Sequence, residues 1–215
     1  MINPQHYQEL INSAIAPELI DLNFRSMSGD EAIEAVMYQK LDDIDCRTKY
    51  VHQRELNRIY KQQHLIAGGL WCSGLDPFDG WGQMQWGAFK PDKPRPDRTN
   101  PTKKIKYEHP PKVETRAFFL RVTFRIGLKI ATKAGAEVSY LERIPTQIPE
   151  LNKNLDLVDA GFWQWVWDEN IPIVITEGAK KTAALLSAGY AAIGLPGING
   201  GLGLKIIIKP HANHS

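Results

Sequence analysis

The residues whose types could do chemistry gather first in one short stretch, Glu177-Gly178-Ala179-Lys180-Lys181. A carboxylate can move a proton or bind a hard cation. Lysines in the first turn of a helix lie beside free backbone N–H groups that suit a phosphate. Helix starts disfavour cations, so electrostatics alone would not choose Lys180 and Lys181 there. The residues leave two readings open. Either Glu177 transfers protons or binds a cation while Gly178, Lys180 and Lys181 hold phosphate, or Glu177 is an acid favoured by the helix dipole and the lysines are solvated. A second set of candidates lies upstream, where Lys90, Lys103, Lys104, Lys106 and Tyr107 punctuate KPDKPRPDRTNPTKKIKY and Arg121 follows. That tract is rich in Pro and cations and poor in apolar residues, which predicts an exposed, partly extended loop able to face a polyanion.

The element that must position Glu177 is legible around it. Ile173, Val174 and Ile175 are a β-branched run, Ala179 to Ala188 is an Ala/Leu/Lys helix, Gly189 stops it, and Tyr190 to Leu195 reads as a second strand closed by Pro196-Gly197. A right-handed crossover makes the two strands parallel and puts Glu177 and Gly178 at the carboxyl end of the first, where open α/β sheets hold ligands. The fold class expected is therefore α/β.

Strand, Glu-Gly, Lys-bearing helix, Gly, and a strand ending Leu-Pro-Gly together resemble the first half of a Toprim domain, the catalytic fold of primases and topoisomerases. The likeness is to the primase-like Toprim modules of plasmid and phage replication proteins. The resemblance implies Glu177 as general acid/base and magnesium ligand and Lys180 as a phosphate contact; Lys181 stands where phage primases carry an acid. Lys106-Tyr107, with Pro110 nearby, is similar to a Lys-Tyr pair in the basic subdomain that precedes the primase Toprim sheet, with Glu108-His109 replacing the usual polar pair. The implied partners are single-stranded DNA or RNA and a helicase or primase, with Mg²⁺ as the implied, weakly held ion. The resemblance also implies an Asp-x-Asp magnesium motif downstream, yet no acidic residue follows Glu177. The expectation is a shortened module that binds nucleic acid without polymerising, set against an active metal-dependent nucleotidyl transferase. A Rossmann-type nucleotide enzyme is disfavoured, because no GxGxxG follows the first strand.

The rest of the chain is expected to serve these residues. Positions 1–64 read as amphipathic helices, 65–134 as a basic, aromatic, β-rich subdomain, 135–170 as a connector and packing helix, and 171–208 as the partial Toprim-like domain. In the second region Asp76-Pro77 and Asp79-Gly80 predict a hairpin. Trp71, Trp81, Trp86 and Phe89 are either its core or a stacking platform for bases, with Phe89 beside Lys90 best suited to stacking. Phe118 to Phe124 reads as a buried strand, Gly127 to Lys133 as a short helix, and Phe162, Trp163, Val166 and Trp167 as one face of the packing helix. Leu204 to Ile208 reads as a third strand of the C-terminal unit.

Charge supports the division. Residues 85–125 hold eleven Lys/Arg against four Asp/Glu, whereas residues 1–60 hold six against ten, although the whole chain carries only +2. Such asymmetry is expected when one surface meets a polyanion. Cys46 and Cys72 lack paired spacing, so neither a disulfide framework nor a zinc module is indicated, and His52, His64 and Cys72 match no zinc spacing. Asp42, Asp43 and Asp45 read as a solvated loop. No stretch has the apolar length of a membrane span and the start lacks a signal pattern, which predicts a cytoplasmic protein.

Overall fold

Residues 2–45, 56–143, 158 and 161–197 are described by the computed structural model of the chain. Two prolines open the first two helices, α1 (Pro4–Ile11) and α2 (Pro17–Asn23), each at a position where the missing N–H costs nothing. Asn3 caps α1, its side chain accepting from the Gln5 amide at 2.8 Å. The next residues depart from the helical reading of the N-terminal region. Phe24–Met27 is a strand, β1, because it pairs antiparallel with residues 69–72; four residues are too few to show a period of two on their own. Helix α3 (Gly29–Asp45) follows and runs through the acidic cluster expected to be a loop. The short α4 (Gln63–Ile66) leads into the hairpin.

The expected hairpin is formed by β2 (Gly69–Asp76) and β3 (Gly82–Pro91), giving the order β1-β2-β3. Both faces of this sheet are covered. Leu70 and Cys72 of β2 and Met84, Trp86 and Ala88 of β3 join the larger core, while Trp71 and Phe89 point the other way, into a second core under α3. On α3 the buried residues Ala32, Ile33, Val36 and Met37 recur at helical spacing. Each large apolar side chain buried there contributes about 1.5–3 kcal/mol, far more than differences in helix propensity, so packing holds this helix. The same geometry removes the proposed stacking platform: Phe89 is fully buried, Trp71 and Trp86 are nearly so, and the aromatic residues are core.

Residues 118–124 were expected to form a buried strand. They are buried, but they act as a splice between two sheets. Leu75 donates its amide to Phe119 O at 2.7 Å, while the Phe118 amide donates to Gly194 O at 2.7 Å and the Phe118 carbonyl accepts from the Gly194 amide at 3.2 Å. Thr123 then caps α5 (Phe124–Ala134), its hydroxyl accepting from the Ile126 amide, so the helix begins three residues earlier than the sequence suggested. The stretch read as a connector carries α6 (Glu137–Glu142), which buries Tyr140 against α5.

Helix α7 (Phe162–Asp168) packs as expected, with Trp163 edge-on to Phe119 and its indole donating to Leu120 O at 2.8 Å. Trp165, rather than Trp167, completes its buried face. The last unit is β4 (Val174–Glu177), α8 (Ala179–Ser187) and β5 (Ala192–Leu195), with β4 and β5 parallel in the register Val174↔Ala192 to Glu177↔Leu195. The fold is thus mixed α/β with a parallel pair at its C-terminal side. Lys129 and Lys133 of α5 donate to Ser187 O and Ala188 O, closing the free carbonyls at the end of α8 and fixing it to the body. The strand expected at 204–208, together with Cys46, His52, His211 and His214, lies outside the described residues. Among the described residues, no helix is long and apolar enough to cross a membrane.

Candidate phosphate-binding site

The parallel pair delivers Glu177 to the carboxyl end of β4, exposed, with Gly178 at the turn into α8. Gly178 has φ 76° and ψ 152°, a combination a side chain resists although a Cβ there would meet nothing within 4 Å. Its N–H donates to Leu195 O at 2.6 Å and its carbonyl accepts from Thr182, so its amide is committed to the turn. That corrects the role expected of Gly178: it shapes the site and does not itself offer an N–H to phosphate. Gly178→Ala is expected to lower unfolding stability by about 1–2 kcal/mol through backbone strain alone. Chemical denaturation read by circular dichroism checks this, and an unchanged midpoint would show that the turn relaxes freely.

The lysine of the first turn does not point to open solvent. Lys180 Nζ lies 2.6 Å from Glu9 Oε1, and Lys90 Nζ reaches the same carboxylate at 2.6 and 2.7 Å. Two lysines far apart in sequence therefore converge on one carboxylate carried by α1. Burial raises the Glu9 pKa, but hydrogen bonds and charge from Lys180 and Lys90 outweigh it and hold the group below its ordinary 4.5. Helix α1 is itself seated by His6, which lies buried with Nδ1 2.7 Å from Ser26 Oγ and Nε2 2.8 Å from Asp92 Oδ1.

Tyr107 lies in the same field. Its phenol is pushed up by burial, lowered by the Lys90 charge and raised by those of Glu9 and Glu177, so it remains protonated and able to donate. Lys181 stands 3.6 Å from Glu177 across one helical turn, with both side chains largely exposed, an arrangement that contributes only a few tenths of a kcal/mol and leaves both groups free to exchange partners. Counting Lys90, Lys180 and Lys181 against Glu9 and Glu177, the site carries a net charge of +1.

The other predicted residues fall around this centre unequally. Arg121 is half-buried beside Cys72, its backbone held by both amide atoms of Asn23, and burial lowers its pKa. The Cys72 thiol is pushed up strongly by burial and is inert as a nucleophile. Lys103, Lys104 and Lys106 stand exposed on the tract, which is folded by Asp97 accepting from Thr99 and Asn100; no contact joins these three lysines to Glu177 or Lys180 among the described residues. His109 is a packing residue, stacked on Trp86 at 5.0 Å and donating from Nδ1 to Gly87 O. Sequence reasoning missed Glu9 entirely. Nothing in QHYQELI distinguishes it from any acid on the polar face of an amphipathic helix.

Residues 162–206, which take in α7 and the whole β4-α8-β5 unit, match a family described as a domain of unknown function, DUF3854. Across 202 residues the chain is 42% identical to an uncharacterized protein of Picosynechococcus sp. (strain PCC 7002), a match that covers 93% of this chain. The chain spans only 18% of that relative's length. No solved structure matches. The family match takes in Glu177, Gly178, Lys180 and Lys181, while Glu9, Lys90 and Tyr107 lie outside it.

The donors around Glu177 are too few for the magnesium that the Toprim resemblance implies. Glu177 supplies one carboxylate, whose ion partner is Lys181, and Glu9 is occupied by two lysines. Among the described residues no group of three or more His, Cys, Asp or Glu could hold a metal. A hard divalent cation needs more oxygen ligands than this, so the donor set does not fit and no step is routed through the ion.

Proposed function

We propose that this chain is a primase-like, Toprim-type module of a plasmid or phage replication protein that binds single-stranded nucleic acid and does not polymerise on its own. The observation that carries the reading is the convergence of Lys90 and Lys180 on the Glu9 carboxylate beside Glu177 and Tyr107. Two ammonium groups bridged by one anion form a ready phosphate clamp: a backbone phosphate offers the same oxygens and displaces a carboxylate held by partners that solvent partly reaches. The basic tract 90–106 adds the long-range attraction, and the phenol of Tyr107 offers a face on which a base stacks. Catalysis by nucleotidyl transfer asks for carboxylates that hold cations at the attacking and leaving oxygens, and Glu177 alone supplies too few. A helicase or primase partner, or further parts of a longer protein, would complete such a site.

Binding of labelled single-stranded dT20 and rU20 across a salt series tests the first half of this reading. A steep fall of affinity with salt is expected for the intact chain, and an affinity indifferent to salt would refute it. Incorporation of labelled nucleotide on a template with Mg²⁺ or Mn²⁺, run beside Glu177→Gln, tests the second. Turnover lost in that variant would show that the site is competent after all.

Glu9 makes a further expectation specific. Glu9→Gln removes the competing anion, so strand binding at neutral pH should tighten about three- to tenfold. Glu9 has a depressed pKa, so its contribution to docking α1 is present above the ordinary carboxylate value and is lost as pH falls through the lower folded value. Amide exchange in α1 should therefore stay slow down to pH 4.5 and accelerate only below it. Weaker binding by the Gln variant would mean that Glu9 orders the lysines for the ligand instead of competing with it.

A further inference from the structure

Tyr107 and Glu108 are neighbours that serve opposite faces of the sheet. Glu108 forms a bridge with Phe89, exchanging both amide hydrogen bonds at 2.8 and 2.9 Å, and residues directly opposite in such a pair share a face. Phe89 points into the core under α3, so Glu108 does too, whereas Tyr107 shares the face of Lys90 and Glu9. Behind the lysine clamp there is consequently a second charged site, in a cavity of about 340 Å³ between α3, α4 and the basic tract.

Three features define what that cavity suits. Its volume falls in the range of about 300–1,000 Å³ usual for small-molecule sites. Its buried wall is apolar, formed by Val36, Met37 and Leu65, and its more exposed rim carries Lys40 and Arg98. The Glu108 carboxylate also lines it, only 12% exposed, forked by Arg95 at 2.6 and 3.0 Å and with His64 Nε2 at 3.4 Å. An ionised carboxylate only accepts, so it selects hydroxyl or amino donors and repels a second anion from the cavity floor. An occupant must then be anionic at the rim, carry donors in its middle and be flat and apolar at its inner end.

We infer that this cavity binds a nucleoside 5′-phosphate, with the phosphate on Lys40 and Arg98, sugar hydroxyls or a base amino group on Glu108, and the base against Val36, Met37 and Leu65. The inference rests on the nucleic-acid reading of the chain only for its biological setting, since the site is separate from the Lys90–Lys180 clamp. The nucleotide arrives either free or as one residue of a single strand, and the chemistry recognised is the same.

Calorimetric titration of the full chain with ATP, with a dT10 strand and with inorganic tripolyphosphate separates the cases. The intact chain should bind ATP, and Lys40→Ala/Arg98→Ala should weaken it at least about tenfold, a larger loss than Lys90→Ala/Lys180→Ala causes. If dT10 alone is weakened by the rim variant, the nucleotide is a residue of a strand and the site stands. Should neither ligand respond to the rim variant, or should tripolyphosphate displace ATP at equal concentration, the nucleotide assignment is overturned. ATP binding lost in the Lys90/Lys180 variant instead would move the ligand to the other face and overturn it as well. Loss of dT10 binding only in that second variant, with ATP unaffected by it and weakened by the rim variant, supports both sites independently. Absence of dT10 binding altogether refutes the strand-binding proposal while leaving the ATP result to judge this one.

Discussion

Lys90→Ala/Lys180→Ala should lower affinity for single-stranded dT20 about a hundredfold at physiological salt. Each lysine makes a charge-assisted contact that is worth about 1.5 kcal/mol when directed at a phosphate, and two of them sum to about 3 kcal/mol. The salt dependence supplies an independent reading. A single strand loses about 0.7 of slope per phosphate contact, so the log–log plot of affinity against salt should flatten by about 1.4. Loss of both partners of Glu9 loosens the seat of α1, so the thermal midpoint should fall slightly while the rest of the fold holds. Fluorescence anisotropy over a salt series measures both quantities. A full loss of affinity with an unchanged slope would indicate damage to the fold instead of lost phosphate contacts, and unchanged affinity would dispose of the clamp.

Gly127→Ala should destabilise the protein by about 3 kcal/mol although alanine is the better helix former. In the middle of α5, exchanging Gly for Ala would ordinarily gain about 1 kcal/mol. Here a Cβ would collide with the Tyr140 hydroxyl, lie 2.6 Å from its Cζ and 3.2 Å from Phe162 Cδ2. Tyr140 is fully buried, stacked on Phe124 and edge-on to Trp165, so it has nowhere to go. Overpacking of this kind costs about 1–3 kcal/mol and more when the neighbour cannot rotate. Because the clash centres on the hydroxyl, Gly127→Ala should be less harmful in a Tyr140→Phe background. A double-mutant cycle in urea measures that coupling. Additive effects would show that the collision is relieved by moving α5 as a whole.

How much of this was legible in the sequence depended on the range of the interactions. The β4-α8-β5 unit was legible almost residue by residue, because its strands, turn and helix each carry a local signal and the crossover has one hand. The hairpin was legible from its turn dipeptides, but its burial on both faces was not, since Phe89 beside Lys90 looks the same whether it faces solvent or α3. Strand β1 and the splice at 117–123 were illegible for a common reason: each is defined by a partner distant in the chain, and neither is long enough to show a period. The site divides the same way. Glu177, Lys180 and Lys181 announced themselves by their place after a strand, Lys90 by the tract's charge, and Tyr107 by the likeness of its Lys-Tyr pair to that of primases. Glu9 became visible only when α1 was seated over β3 and α8.

The clamp joins chain positions 171 apart, Glu9 with Lys180, and the bond from the Ala16 amide to Ser187 Oγ spans the same interval. On a ribosome adding about 5–20 residues per second, roughly ten to thirty seconds separate the emergence of α1 from that of α8. Once Lys90 has emerged, 81 residues after Glu9, the two form a simple pair and the doubly bridged carboxylate does not yet exist. Lys180 arrives last and converts the pair into the clamp. A nascent chain halted before α8 is therefore expected to show α1 held by Asp92 and Lys90 without the bond to Lys180, and the lysine pair proposed to bind phosphate is complete only once α8 has emerged.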